Sequence, residues 1–125
     1  MTRASNPQDL PRLFLEGLNA GDVDAVVALY EADGVVAPHP SQVVAGSRRI
    51  RAMVADFLAH RPRFALLDTE VVRAGGLALI RARWTMTAAD ASGVETEMAI
   101  APTLVARRQP EGHWLVVIDR PLPAG

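Results

Sequence analysis

The sequence predicts an α+β domain in which three helices precede a long antiparallel sheet. Two observations predict it. Apolar residues recur at helical spacing as far as residue 60, and from Arg63 onward they alternate with a period of two. Turn signals then fall at Gly75-Gly76, Asp90–Gly93 and Gln109–Gly112, dividing the second half into four strands.

Leu10, Leu13, Phe14 and Leu18 make one stripe of a first helix that ends near Ala20, with Asn6 or Asp9 as its cap. Gly21 stops it, and Asp22 caps a short second helix whose Val23, Val26, Val27 and Tyr30 form the buried side. Glu31–Gly34 reads as a turn, Val35–Ala37 as a short strand, and Pro38-His39-Pro40 as its break. Val43–Ala45 can pair back. Ser47 then caps a third helix to about His60, with Ile50, Met53, Val54, Phe57 and Leu58 inward. The strands follow as Phe64–Arg73, Leu77–Thr87, Val94–Arg107 and Gly112–Asp119, a meander in which Pro102 demands an edge position or a bulge.

With 125 residues and neither a linker nor an internal repeat, the chain reads as one domain spanning 1–125. A net charge of −1 argues against nucleic acid or an anionic membrane as partner. Lysine is absent, which excludes Schiff-base chemistry, and so is cysteine, which excludes thiolate catalysis and disulfides. The three histidines lack carboxylates at ligand spacing, so no metal site is expected, and no cofactor motif is present. The N-terminal residues lack the apolar core of a signal peptide, which predicts a cytoplasmic protein.

The last strand carries the main functional question. Strict alternation puts Leu115, Val117 and Asp119 on one face and Trp114, Val116 and Ile118 on the other, so that Asp119 lies on an apolar face. A dry, unpaired carboxylate costs several kcal/mol, so it needs a partner, a route to water, or a task. An arginine such as Arg83 or Arg120 is one candidate partner.

The order of elements, together with Asn19-Ala-Gly-Asp22, Leu29-Tyr-Glu-Ala-Asp33 and Gly46-Ser-Arg-Arg-Ile50, resembles the nuclear transport factor 2-like superfamily. That superfamily includes ketosteroid isomerases and SnoaL-like polyketide cyclases. The tail from Arg107 to Pro121 looks most like its bacterial SgcJ/EcaC branch. The resemblance implies a cone-shaped barrel, three helices wrapped by a curved, mainly antiparallel sheet, with a ligand pocket inside. At the positions where ketosteroid isomerases carry a tyrosine and two aspartates, this chain has Phe14, Pro38 and Leu104. Steroid isomerisation by that machinery is therefore not expected. The acid/base aspartate of the cyclases falls on Asp119, whereas the histidine and tryptophan before it are replaced by Val117 and Ile118.

These readings nominate Asp119 as a catalytic acid/base, its pKa raised by burial. Tyr30 and His39 are expected to orient a bound oxygen, and Phe14, Phe57, Trp84, Met86, Leu104 and Val117 to line the pocket. The expected ligand is a small, mostly hydrophobic molecule bearing oxygen. Two functions fit: cofactor-independent cyclisation, isomerisation or dehydration next to a carbonyl, and non-catalytic binding as an accessory protein. A homodimer through the outer sheet face is expected because that face would expose Trp114, Val116 and Ile118.

Overall fold

The structure is a computed structural model, in which residues 2–121 are described. A single 3₁₀ turn, Pro7–Asp9, runs into helix α1 (Leu10–Ala20), and neither Asn6 nor Asp9 makes a side-chain capping bond. Gly21 takes the left-handed conformation that closes α1, and its amide donates to the carbonyls of Gly17 and Leu18. Helix α2 (Val23–Val27) is capped as its sequence demands, with Asp22 accepting from the Ala25 amide at 3.0 Å. Gly17 lets α1 and α2 approach closely, because a Cβ there would lie 2.9 Å from Val26 Cγ2. Helix α3 (Ser47–Leu58) begins one residue earlier than expected. Gly46 occupies its cap position, and Ser47 Oγ donates instead to the carbonyl of Ala32.

Seven strands form one mixed, curved sheet: β1 (Tyr30–His39), β2 (Gln42–Ala45), β3 (Arg63–Ala74), β4 (Leu77–Ala89), β5 (Glu95–Ile100), β6 (Thr103–Arg108) and β7 (Trp114–Arg120). Their order is β2-β1-β7-β6-β4-β3, with β5 also on β4. The architecture is thus α+β, as the sequence predicts, but the sheet stays open, with β2 and β3 at the ends of its strand order. Ala78, Ile80, Ala82 and Trp84 turn to the helices, and Ile50 and Val54 of α3 are buried beneath them with Leu10 and Phe14 of α1. Each buried isoleucine, leucine, valine or phenylalanine among them contributes about 1.5–3 kcal/mol.

Three local departures from the sequence expectation shape the interior. The strand at Val35 begins at Tyr30 and runs on to His39, through Pro38. Residues 31–34 bulge out of its parallel ladder with β7, whose register jumps from Tyr30↔Val116 to Val35↔Ile118. Proline is accommodated because the ladder with β7 is registered only as far as Val36↔Asp119, two residues short of it. The expected strand at 94–107 is two strands, broken at Ala101-Pro102, where the Pro102 carbonyl accepts from the Ala82 amide.

The third departure lies in β7. Its register with β6 passes from Ala106↔Val116 to Val105↔Ile118, so Val117 is an extra residue with no partner. Strict alternation fails there. Trp114 and Val116, expected outside, are buried in the core at 2% and 0% exposure, and after the bulge Asp119 also turns inward. Ile118 alone of the three remains on the outer face.

Candidate active site

A cavity of about 320 Å³ lies between α1, α3 and the concave face of the sheet. Of the described residues that line it, only Tyr30, Trp84 and Asp119 carry polar side-chain groups; the rest are aliphatic, aromatic, methionine or proline. Phe14 comes from α1 and Phe57 from the end of α3, while Trp84 and Met86 come from β4. These six expected residues share one wall system. Three others do not belong to it.

His39 is exposed, because Val36 and Pro38 take the inward positions of β1 and alternation turns His39 away. Leu104 lies directly across from Asp119 in the β6–β7 ladder, but it is sealed in the core at 1% exposure. Val117 is the bulged residue and faces away from the cavity wall. The sequence reading also passed over Phe64 and Ile100, which enter the wall because they pair with Met86 and Trp84 on the same concave face. Cross-strand register would have found them; periodicity within one strand does not.

Asp119 sits at the centre of the chemistry. Its Oδ2 accepts a 2.5 Å hydrogen bond from the Tyr30 hydroxyl, and its Oδ1 is buried with no partner among the described residues. Among those residues it has no ion pair either: Arg83 is committed to Asp68 on the outer face, with Nε 2.8 Å from Oδ2. Burial raises the carboxyl from its ordinary value to about 6, and the Tyr30 bond opposes the rise. Tyr30 is held well above the usual phenol value, first by burial and then by the neighbouring carboxylate, so it stays protonated and donates. The result is a carboxyl with one oxygen fixed and the other buried and unpartnered, in an apolar wall.

Trp84 contributes a second unsatisfied group. Its Nε1 is buried with no acceptor among the described residues, and its ring meets Phe64 edge-on at 6.4 Å. No grouping of three or more potential metal ligands exists among the described residues.

Similarity to known proteins agrees with this architecture. A Xanthomonas campestris protein described as a candidate calcium/calmodulin-dependent protein kinase II association domain is 22% identical, with a TM-score of 0.80 over 99% of this chain and 95% of its own. A ketosteroid isomerase-like protein from Erwinia carotovora atroseptica is 21% identical, with a TM-score of 0.79 over 93% and 92% of the two chains. A candidate dehydratase of the nuclear transport factor 2-like family from Streptomyces avermitilis is 20% identical, with a TM-score of 0.77 over 92% and 91%. Three differently described proteins on one scaffold fix the fold and leave the activity to the site. No curated protein matches the sequence. The sequence profile of the SnoaL-like domain, however, matches residues 12–114, and the chain belongs to that family.

Proposed function

We propose that the cavity binds a small, mostly apolar molecule bearing oxygen and that Asp119 moves a proton next to its carbonyl. The observation that carries this reading is Asp119 Oδ1, an unpartnered carboxylate oxygen in an otherwise greasy chamber. A carboxyl near 6 is largely ionised at neutral pH yet a far stronger base than one in water, as a general base should be. Oδ1 takes the proton from the carbon next to the carbonyl, and the C–H electron pair passes into an enolate. In a β,γ-unsaturated substrate, return of a proton from Asp119 to the γ-carbon gives the conjugated isomer and restores the carboxylate; in a simple ketone, a proton exchanged with solvent at Asp119 before its return replaces the α-proton. Tyr30 is a positioning residue here: its hydrogen bond fixes Oδ2 and leaves Oδ1 to the ligand.

The test uses 2-tetralone, an enolisable ketone of suitable size, in deuterated buffer. Wild-type protein should accelerate exchange of its α-protons, followed by NMR, and Asp119→Asn should abolish the acceleration while binding the ketone within severalfold. Binding without acceleration by the wild type would instead support the second reading, a non-catalytic carrier or accessory protein. The missing cyclase partners at Val117 and Ile118 favour that second reading.

The outer sheet face supports a homodimer on a different set of residues, which keeps only Ile118 of the three that the sequence nominated. Val72, Leu79, Val105 and Ile118 are successive cross-strand partners, an apolar row across β3, β4, β6 and β7. Val72, Leu79 and Ile118 are 68%, 44% and 43% exposed. A cytoplasmic setting and the SgcJ/EcaC branch, the latter on the Arg107–Pro121 tail, complete the proposal.

A further inference from the structure

The three polar side chains of the cavity have separate hydrogen-bonding capacities. Tyr30 has one hydroxyl proton and gives it to Asp119. Ionised Asp119 only accepts. Trp84 has one N–H, only donates, and is uncommitted within the described residues. A buried indole normally finds a partner for this proton. Trp84 stands on β4 and Asp119 on β7, with β6 between them, so the uncommitted donor and the uncommitted acceptor belong to different parts of the wall.

We infer that Trp84 Nε1 is the ligand-orienting donor of this cavity, which selects uncharged molecules with an acceptor oxygen at the Trp84 end and a removable proton at the Asp119 end. The inference rests on the cavity being a ligand site. It adds a polarity to the ligand and names a specificity residue. Among the described residues no arginine or histidine lines the cavity, so a carboxylate or phosphate ligand would bring a second negative charge beside Asp119 without a counter-charge. An uncharged ketone or hydroxyketone satisfies both orphan groups at once.

Calorimetric titrations at pH 8, above the carboxyl's value of about 6, test this with 2-tetralone and with tetralin, the same skeleton without the oxygen. With Asp119 ionised, Trp84 is the free donor, and wild-type protein should prefer the ketone by about tenfold or more, the effect of leaving one buried donor unpaired. Trp84→Phe should abolish that preference; comparing two ligands on one protein cancels any change in cavity size. In the wild-type protein the Trp84 indole proton should also shift downfield with 2-tetralone and not with tetralin, which checks the contact without a variant. Equal discrimination by wild type and Trp84→Phe, or an unmoved indole proton, overturns the donor role and points to the Phe64 ring as the partner of that N–H. Failure of both compounds to bind wild-type protein removes the ligand site itself, a result distinguishable from loss of the donor role alone.

Discussion

Tyr30 and Asp119 stand 89 residues apart in the chain, yet the phenol donates to the carboxylate at 2.5 Å in the buried interior. Parallel pairing of β1 with β7 makes this possible, since Tyr30 registers with Val116 and Val36 with Asp119. The two side chains therefore approach the same buried volume from neighbouring strands. One is a donor that cannot ionise there, and the other is an acid that ionises late.

The first prediction concerns stability against pH. The folded-state value of Asp119, about 6, lies above its value in the unfolded chain. Ionisation therefore opposes folding: the carboxyl's contribution is fully present below about pH 4, falls as pH rises to about 6, and is flat beyond. Asp119→Asn should match wild type near pH 4 and exceed it by about 3 kcal/mol at pH 8, because the amide stays neutral and still accepts from Tyr30. Urea unfolding across this range measures the difference. A variant less stable than wild type at pH 8 would show that the carboxylate holds the fold together.

Removing the phenol should move Asp119 in a known direction. The Tyr30 hydrogen bond lowers the carboxyl's pKa, so Tyr30→Phe should drive it above about 6. The change should also lower stability at pH 8 by about 1–3 kcal/mol, since it leaves the buried carboxylate with no protein donor. Carboxyl carbon shifts followed through a pH titration report the first effect directly. An unchanged midpoint would mean that the contact is not formed in solution.

The bulge makes adjacent valines unequal. Val116 is fully buried and Val117 is the extra residue of the ladder. Val116→Asp should prevent folding, because an unpaired charge would enter the core, whereas Val117→Asp should change stability by no more than about 1 kcal/mol. Circular dichroism melts separate the cases. Equal damage at both positions would argue for an unbroken strand.

The apolar row on the outer face predicts an oligomeric state. Sedimentation should give a dimer for wild type, and Leu79→Glu combined with Ile118→Glu should give a folded monomer. A wild-type monomer at micromolar concentration would remove the sheet face as an interface.

Much of this protein was legible in the chain itself. The 3.6-residue stripe of Leu10, Leu13 and Phe14, the Asp22 cap and the alternation of Ala78, Ile80, Ala82 and Trp84 are local signals, and local sterics and burial enforce them. An apolar setting and a raised pKa for Asp119 were also expected from the chain, but the residues that bury it come from other elements. The pairing of elements distant in the chain was not legible. Strict alternation put Trp114 and Val116 outside, and only the ladder with β6 shows that Val117 bulges and returns them to the core. The same ladder seals Leu104 in the core across from Asp119, and the inward turn of Pro38 sends His39 to solvent. Side-chain alternation is fixed by backbone geometry within one strand. A one-residue slip between strands is decided by the neighbour's hydrogen bonds, so it exists only once the sheet has assembled.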